Sequence, residues 1–289
     1  MIRCQLDQAT DSAQAMSARP TQLPEFEDPP ISEVALSILF SPLVNWRSAH
    51  AGLYWSRING QYPRTETHPP LPMQIEQFDP DFIQRPMIQF EVVNPDISRF
   101  WFVADPPTKL IQVQRDRFVI NWRKVKGDEI YPRYMAEMRP RFDREWKDFV
   151  AFVSQQRIGT IEVQQCEITY INDLLQGQGW QTFPESLSLF APWWKNGTDG
   201  FLPRPETLGL SGSFRIPGDR GRLHFNAMHV RRQFDNRESI RLELVARGKP
   251  ASDAHDAVLA WMDMGHEWIV RGFADLTSNQ AHKLWKRKS

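Results

Sequence analysis

Length, composition and charge exclude several classes of protein. The chain has 289 residues, enough for one large domain or two ordinary ones, and its 35 Lys and Arg balance its 35 Asp and Glu. That balance excludes a uniformly basic nucleic-acid coat and a highly charged disordered chain, whereas 41% apolar and 12% aromatic residues suffice for a substantial core. The two cysteines, Cys4 and Cys166, cannot form a disulfide framework or a four-thiol zinc site.

The apolar residues are not arranged for a membrane or for export. No run approaches the roughly 18 apolar residues of a transmembrane helix, and residues 1–28 contain no apolar core of a signal peptide. Those 28 residues are polar and show no sustained period, which predicts a disordered N-terminal tail. We therefore expect a cytoplasmic protein without a membrane partner.

The first regular elements are predicted to be a strand and a helix. Residues 31–40 place apolar side chains at every second position, which is typical of a half-buried strand. Residues 43–59 predict a helix that ends at Gly60. Residues 62–86 contain six prolines, so we expect them to form an extended connection over the surface.

A series of strands is predicted next. Residues 87–93 and 99–104 are short and rich in β-forming side chains. Residues 110–114 and 118–124 flank the turn at residues 115–117 and predict a tight hairpin.

The middle of the chain changes from helical to extended periodicity. Large apolar residues recur every three or four positions over residues 131–153, which predicts a helix that Pro140 kinks or divides. Residues 161–171 predict a strand with a bulge near Gln165. The linker that follows is rich in Gly and Pro and has one short predicted helix over residues 185–190.

The last part of the chain repeats this order. Residues 209–216, 222–234 and 240–247 predict strands. A long helix then begins after an N-cap at Ser252 or Asp253. Its apolar stripe consists of Val258, Met262, Gly265, Ile269, Phe273 and Leu276.

The order of these elements predicts an α+β fold with an internal duplication. Residues 29–157 and 158–289 each read as a β-α-β(3–4)-α half, although they share no clear residue-level repeat. Two such halves joined edge to edge would form a curved antiparallel sheet with long helices on one face, as in the TATA-binding-protein fold. The alternative is a helix-grip barrel, in which one sheet wraps a single long helix.

Common catalytic motifs are missing from the sequence. It contains no G-x-x-x-x-G-K-[ST], no G-x-G-x-x-G after a strand and no G-x-S-x-G. His255 and His266 lie about 16 Å apart along the predicted last helix, too far to share a metal ion. Glu33 and Glu167, in the first strand of each half, could act as paired carboxylates only if symmetry brings them together. These observations favour a non-enzymatic protein that uses no cofactor and no metal.

Basic residues are concentrated in the strand-rich part of each half. Residues 101–150 contain eleven basic and eight acidic side chains, and residues 201–250 contain ten basic and five acidic ones. An Arg-rich sheet face is suited to an anionic partner, either nucleic acid or an acidic protein. The candidate partner-binding residues are Arg115, Arg117, Arg123, Arg222, Arg231 and Arg241. The competing interpretation is a solvated face on which arginines pair with Glu238 and Glu243.

A second functional hypothesis places a small-molecule or catalytic site inside the fold. A cavity between a curved sheet and its helices is a common place for such a site. Its candidate lining residues are Trp122, Tyr170, Phe225 and Met228.

Five segments resemble an uncharacterised, sporadically distributed bacterial protein family of unknown function. They are PPISEV at residues 29–34, RFVINWR at 117–123, YPRY at 131–134, YIN at 170–172 and the stretch 266–285. The resemblance extends from the first predicted strand to the last helix. It implies no activity, but a sporadic distribution is similar to that of defence and toxin–antitoxin genes, which implies a role in such a system.

Overall fold

The computed structural model describes residues 22–78, 98–191, 209–232 and 236–289. These residues form one open antiparallel sheet of nine strands and five α-helices, so the predicted α+β class is confirmed. The strands are β1 (Ile31–Phe40), β2 (Arg64–His68), β3 (Arg99–Val103), β4 (Lys109–Gln114), β5 (Arg117–Arg123), β6 (Val163–Leu175), β7 (Gly209–Ile216), β8 (Gly221–Arg231) and β9 (Glu238–Gly248). The helices are α1 (Ser48–Ile58), α2 (Arg139–Gln155), α3 (Phe183–Ser186), α4 (His255–Leu276) and α5 (Asn279–Leu284).

The sheet is arranged around two central strands. Its strand order is β2-β3-β4-β5-β1-β6-β9-β8-β7, and β1 pairs with β6 through a register that places Val34 opposite Tyr170. The long helices α2 and α4 pack on different strands, α2 on β5 and α4 on β6, β8 and β9. Because two long helices cover an open sheet, the helix-grip alternative is wrong.

Period-2 alternation gives the sheet two different faces. The helix face, which the helices cover, carries Val34, Leu36 and Ile38 of β1, all fully buried. An aromatic cluster fills the space between this face and helices α1 and α2. It consists of Phe40, Tyr54, Phe118, Trp146 and Phe149. Side chains of the opposite parity form the second face, which we call the polar face.

The connection predicted over residues 62–86 contains a strand that the sequence did not indicate. Residues Arg64–His68 form the edge strand β2, which pairs with β3. All its side chains are polar, so it lacks the apolar alternation by which strands are recognised. The residues after it, up to Phe78, are extended. The strand predicted at residues 87–93 lies outside the described residues.

Three helix predictions differ from the structure at their ends. Helix α1 begins at Ser48, not near residue 43. The predicted division of the helix at Pro140 is present, because a π-helical turn at Tyr134–Met138 comes first and α2 begins at Arg139, with the proline in its first turn. The N-cap of α4 is Ala254, and Ser252 instead accepts a hydrogen bond from the Ala254 backbone N–H at 3.3 Å.

The described end of the predicted tail is attached to the C-terminus of the chain. Backbone N–H groups of Glu27 and Asp28 donate to the carbonyl oxygens of Lys286 and Trp285 at 3.1 and 3.2 Å. Phe26 is buried against the aromatic ring of Trp285 and its neighbours. Residues 22–28 therefore form part of the packed structure.

Candidate partner-binding face and buried cavity

An extended segment, residues 71–78, crosses the polar face, and we call it the strap. Over the first half of the sheet it is held by β4 and β5. The Leu71 backbone N–H donates to Gln114 Oε1 at 2.9 Å, and Gln114 Nε2 donates back to the Leu71 carbonyl at 3.1 Å. Arg117 donates to the carbonyl oxygen of Pro72 at 3.0 Å.

The strap continues over β6 and β9. Gln165 Nε2 donates to the Gln74 carbonyl at 2.9 Å, and its Oε1 accepts the Glu76 backbone N–H at 2.8 Å. Arg247 donates to Gln74 Oε1 at 2.9 Å. In these contacts the sheet contributes side chains and not its backbone, so the strap lies on the face without extending the sheet.

The Glu76 carboxylate is the most strongly held group of the strap. Only 1% of its side chain is exposed, and its two oxygens contact Arg222 Nη1 at 2.7 Å and His224 Nε2 at 2.6 Å. Burial acts to raise the pKa of Glu76, but the hydrogen bonds from His224 and Arg222 outweigh it and hold the pKa below its ordinary value. The guanidinium of Arg222 also lies 4.7 Å from the ring centre of Phe78.

Four of the six predicted partner-binding arginines lie on the polar face. Arg117 and Arg222 contact the strap, as described above. Arg123 lies over the Trp101 ring at 5.2 Å, and Arg241 is 3.4 Å from Asp173. All four occupy positions on β5, β8 and β9 whose side chains point to the polar face. Each is paired with a residue of that face on the neighbouring strand.

The other two arginines lie elsewhere. Arg115 is in the β4–β5 turn, where its backbone carbonyl accepts from Leu43. Arg231 ends β8 on the parity of the helix face and pairs with Glu238 at 3.0 Å, with 61% of its side chain exposed. The structure therefore brings four predicted residues to one face and separates two from it.

A chain of hydrogen bonds surrounds Glu33 at the opposite end of β1 from the strap. Asn121 Nδ2 donates to Glu33 Oε1 at 2.6 Å, Gln112 donates to Asn121 Oδ1 at 2.7 Å, and Arg99 donates to Gln112 Oε1 at 3.0 Å. Burial raises the pKa of Glu33. This carboxyl is thus held by a neutral amide and not by a direct ion pair.

Glu33 and Glu167 do not form a carboxylate pair. In the β1–β6 register Glu33 lies opposite Ile171, whereas Glu167 lies opposite Ser37, four positions along β1. At about 3.3 Å per residue the two acids are about 13 Å apart along the strands. Glu167 instead accepts from Arg247 at 2.6 Å. The hypothesis of a shared acid–base site is therefore wrong.

The helix face contains a buried chain of hydroxyl and imidazole groups. The Tyr131 and Tyr170 hydroxyl oxygens are 2.7 Å apart, and the Tyr170 hydroxyl is 3.0 Å from His266 Nδ1. The Tyr134 ring stacks on the His266 ring with centres 3.9 Å apart. Burial lowers the pKa of His266 to about 4, so the imidazole is neutral at pH 7.

The backbone beside this chain is irregular in two ways. Arg133 has φ 71°, a conformation that costs a non-glycine residue about 1–3 kcal/mol and that clusters at functional sites. A π-helical turn, Tyr134–Met138, follows it and leads into α2. The Arg133 guanidinium donates to the carbonyl oxygens of Phe26 and Glu27, both at 2.8 Å.

These groups line a cavity of about 400 Å³ between the sheet and α4. Tyr131, Tyr170 and His266 lie on its wall with Ile31 and Phe273. The sequence predicted a cavity here with Tyr170 on its wall, but not the groups around Tyr170, because those residues are far apart in sequence and only the fold brings them together.

Of the four lining residues predicted from the sequence, Tyr170 alone lines this cavity. Trp122 packs on Tyr131 with ring centres 5.5 Å apart, Phe225 stacks on Phe214, and Met228 is on the polar face. The prediction was wrong for these three residues because parity and strand position, not apolar character, decide which side chains reach the cavity.

Comparison with known proteins gives no relative from which a function could be inferred, so a function can be argued only from the geometry of the site. No protein-family model, no curated protein and no solved structure matches the chain. In the described ranges, none of the helices combines the length and apolar character needed to cross a bilayer.

Proposed function

We propose that this chain is a non-enzymatic binding protein whose polar face recognises an anionic partner. In this proposal the sheet is built from two similar halves in a TATA-binding-protein-like arrangement. The strand order supports it, because β1, β5, β4 and β3 follow one another outward from the centre as β6, β9, β8 and β7 do. The register supports it too, since Glu33 faces Arg123 in one half and Glu167 faces Arg247 in the other.

The observation that carries the proposal is the position of Glu76. The polar face already holds an extended segment of this chain by clamping its carboxylate between Arg222 and His224. Charge-assisted hydrogen bonds of this kind select for an anion. Most of the other strap hydrogen bonds use backbone carbonyls and amides, which any polypeptide supplies, and Gln74 Oε1 and the Phe78 ring add two side-chain contacts. These contacts favour an acidic polypeptide over nucleic acid as the partner.

Binding of a labelled ten-residue oligoglutamate peptide, followed by fluorescence anisotropy at low salt, tests the proposal. Glu76→Ala removes the internal occupant of the clamp, so we expect it to bind the peptide at least about tenfold more tightly than the wild type. Adding Arg222→Met should remove that gain. The matched control is Arg231→Met, which removes an arginine of the same strand outside the polar face and should change affinity less than about twofold.

Two further measurements, one at rising salt and one with a DNA duplex as the probe, complete the experiment. Peptide affinity should fall as salt rises, because the contacts are ionic and partly exposed. A DNA duplex of similar total charge should bind more weakly than the peptide, and tighter duplex binding would identify nucleic acid as the partner class instead. If neither probe binds the wild type or the Glu76→Ala variant, the proposal is overturned.

A further inference from the structure

We infer that the cavity behind the central strands binds an uncharged, largely apolar small molecule, whose single hydrogen-bonding group pairs with His266 Nε2. This site is on the helix face and does not depend on the partner proposed for the polar face. The observation behind it is a neutral imidazole, fixed by two tyrosines, on the wall of a mainly apolar space of about 400 Å³.

The walls of the cavity belong to the fixed part of the fold. Residues 23–26 form one side and are tied to the C-terminus, where the Lys288 N–H donates to the Glu25 carbonyl at 2.7 Å. Ile31 of β1 and Phe273 of α4 line the cavity from the sheet and from the helix. The cavity is open to solvent on one side, and a concave space of this size with mainly apolar walls is a candidate ligand site.

His266 supplies the polar contact. Its Nδ1 is occupied by the Tyr170 hydroxyl, and among the described residues none hydrogen-bonds Nε2. The Tyr131–Tyr170 hydrogen bond fixes the hydroxyl that faces Nδ1, and Tyr134 stacks on the ring, so the imidazole cannot turn freely. A ligand group that pairs with Nε2 therefore meets a pre-oriented partner, which lowers the cost of binding.

The ligand is uncharged because neither of the two charged residues that line the cavity, Glu25 and Arg133, offers it a buried, uncommitted group, and the Glu25 side chain is exposed to solvent. The Arg133 guanidinium is taken up by the carbonyl oxygens of Phe26 and Glu27. The amide of Asn172 donates to the carbonyl of Leu242. A charged ligand entering an apolar space without a counter-ion would lose its hydration without compensation.

The irregular backbone is a second observation that indicates a ligand site here. The positive φ of Arg133 and the π-helical turn after it both occur at the cavity wall, and together they place the Tyr134 ring on His266. Features of both kinds are concentrated at ligand and active sites.

Calorimetric titration of the full chain with three probes tests the inference. The probes are 2-naphthol, which is neutral with one hydroxyl, naphthalene, which lacks it, and 2-naphthoate, which is charged. We expect 2-naphthol to bind most tightly. His266→Phe keeps a ring on Tyr134 but removes Nε2, so it should weaken 2-naphthol at least about tenfold and leave naphthalene within about twofold. His255→Phe, the same change on α4 outside the cavity, should alter neither.

A second variant keeps the test decisive if His266→Phe does not fold. Val270 lines the cavity one turn after His266, and Val270→Trp should fill the space and abolish binding of 2-naphthol. The inference is overturned if the wild type binds none of the probes, if it prefers 2-naphthoate, or if His255→Phe weakens 2-naphthol as much as His266→Phe does.

Discussion

The two faces of the sheet hold their polar groups in opposite ways. On the helix face, Tyr131, Tyr170 and His266 hydrogen-bond one another and stay neutral. On the polar face, Glu76 is ionised and is held between Arg222 and His224. The pKa directions reflect this difference: burial lowers the pKa of His266 and outweighs the opposing charge of Asp263, whereas hydrogen bonds from an imidazole and a cation keep the pKa of Glu76 low.

This difference determines what each face can bind. In our proposal the contacts that polar-face side chains make with the strap are exchanged for the same contacts with another acidic segment, because the sheet backbone takes no part in them. The neutral groups of the helix face suit an uncharged ligand instead. One sheet therefore presents two kinds of binding chemistry, separated only by side-chain parity.

The helix face should contribute most of the stability, and a core substitution measures how much. Phe149 is fully buried, with rings of Phe118 and Tyr54 at 5.0 and 5.4 Å. We expect Phe149→Ala to lower the free energy of unfolding in urea by about 3–5 kcal/mol. The control is Val150→Ala on the same helix, where 38% of Val150 is exposed, and the expected loss is below about 1 kcal/mol. Equal losses would show that the aromatic cluster is not the main core.

The central strands could be predicted from the sequence because their signal is local. The alternation of apolar and polar residues over 31–40 correctly predicted both ends of β1 and which of its side chains face the helices. The same local signal gave the ends of β7. On β9, Ile240 and Leu242 are buried on the helix face, so Arg241 between them belongs to the polar face.

The position of the strap and the contacts within the cavity could not be predicted, because both join residues that are distant in sequence. Glu76 meets Arg222 146 positions later, and nothing in the local sequence of either residue marks the pair. The prolines before it indicate an extended segment but not where that segment lies. The Tyr170–His266 contact likewise joins residues 96 positions apart.

The pH dependence of stability tests whether burial keeps His266 neutral in spite of the nearby Asp263 carboxylate. Its folded pKa of about 4 lies below its ordinary value of 6.5, so between these values the unfolded chain binds the proton more tightly. His266 should therefore contribute a loss of about 3 kcal/mol in stability as pH falls from 6.5 to 4, since a tenfold change in proton affinity corresponds to about 1.4 kcal/mol.

Urea titrations of the wild type and of His266→Phe at pH 7 and pH 4.5 isolate this contribution. The variant should lose less stability on acidification than the wild type, because it lacks the contribution of His266. The carboxylates contribute equally in both proteins. Parallel pH profiles for the wild type and His266→Phe would show that the imidazole is not desolvated, and the contrast between the two faces would then weaken.

The smallest expected effect comes from a comparison of two Arg–Glu ion pairs. The comparison is specific because the pairs differ in burial but not in residue type. Arg247 and Glu167 on the polar face are 19% and 11% exposed, whereas 61% of Arg231 is exposed in its pair with Glu238. Arg247→Met should cost about 1–3 kcal/mol because it leaves the buried Glu167 carboxylate unpaired.

Arg231→Met should cost less than about 1 kcal/mol, as solvent screens its pair. A double-mutant cycle with Glu167→Gln separates the Arg247–Glu167 coupling from the hydrogen bond that Arg247 gives to Gln74 in the strap. If the coupling is near zero while Arg247→Met remains costly, the arginine acts mainly by holding the strap. A coupling that accounts for the whole loss would instead show that the pair is intrinsic to the sheet and that the strap can leave without disturbing it.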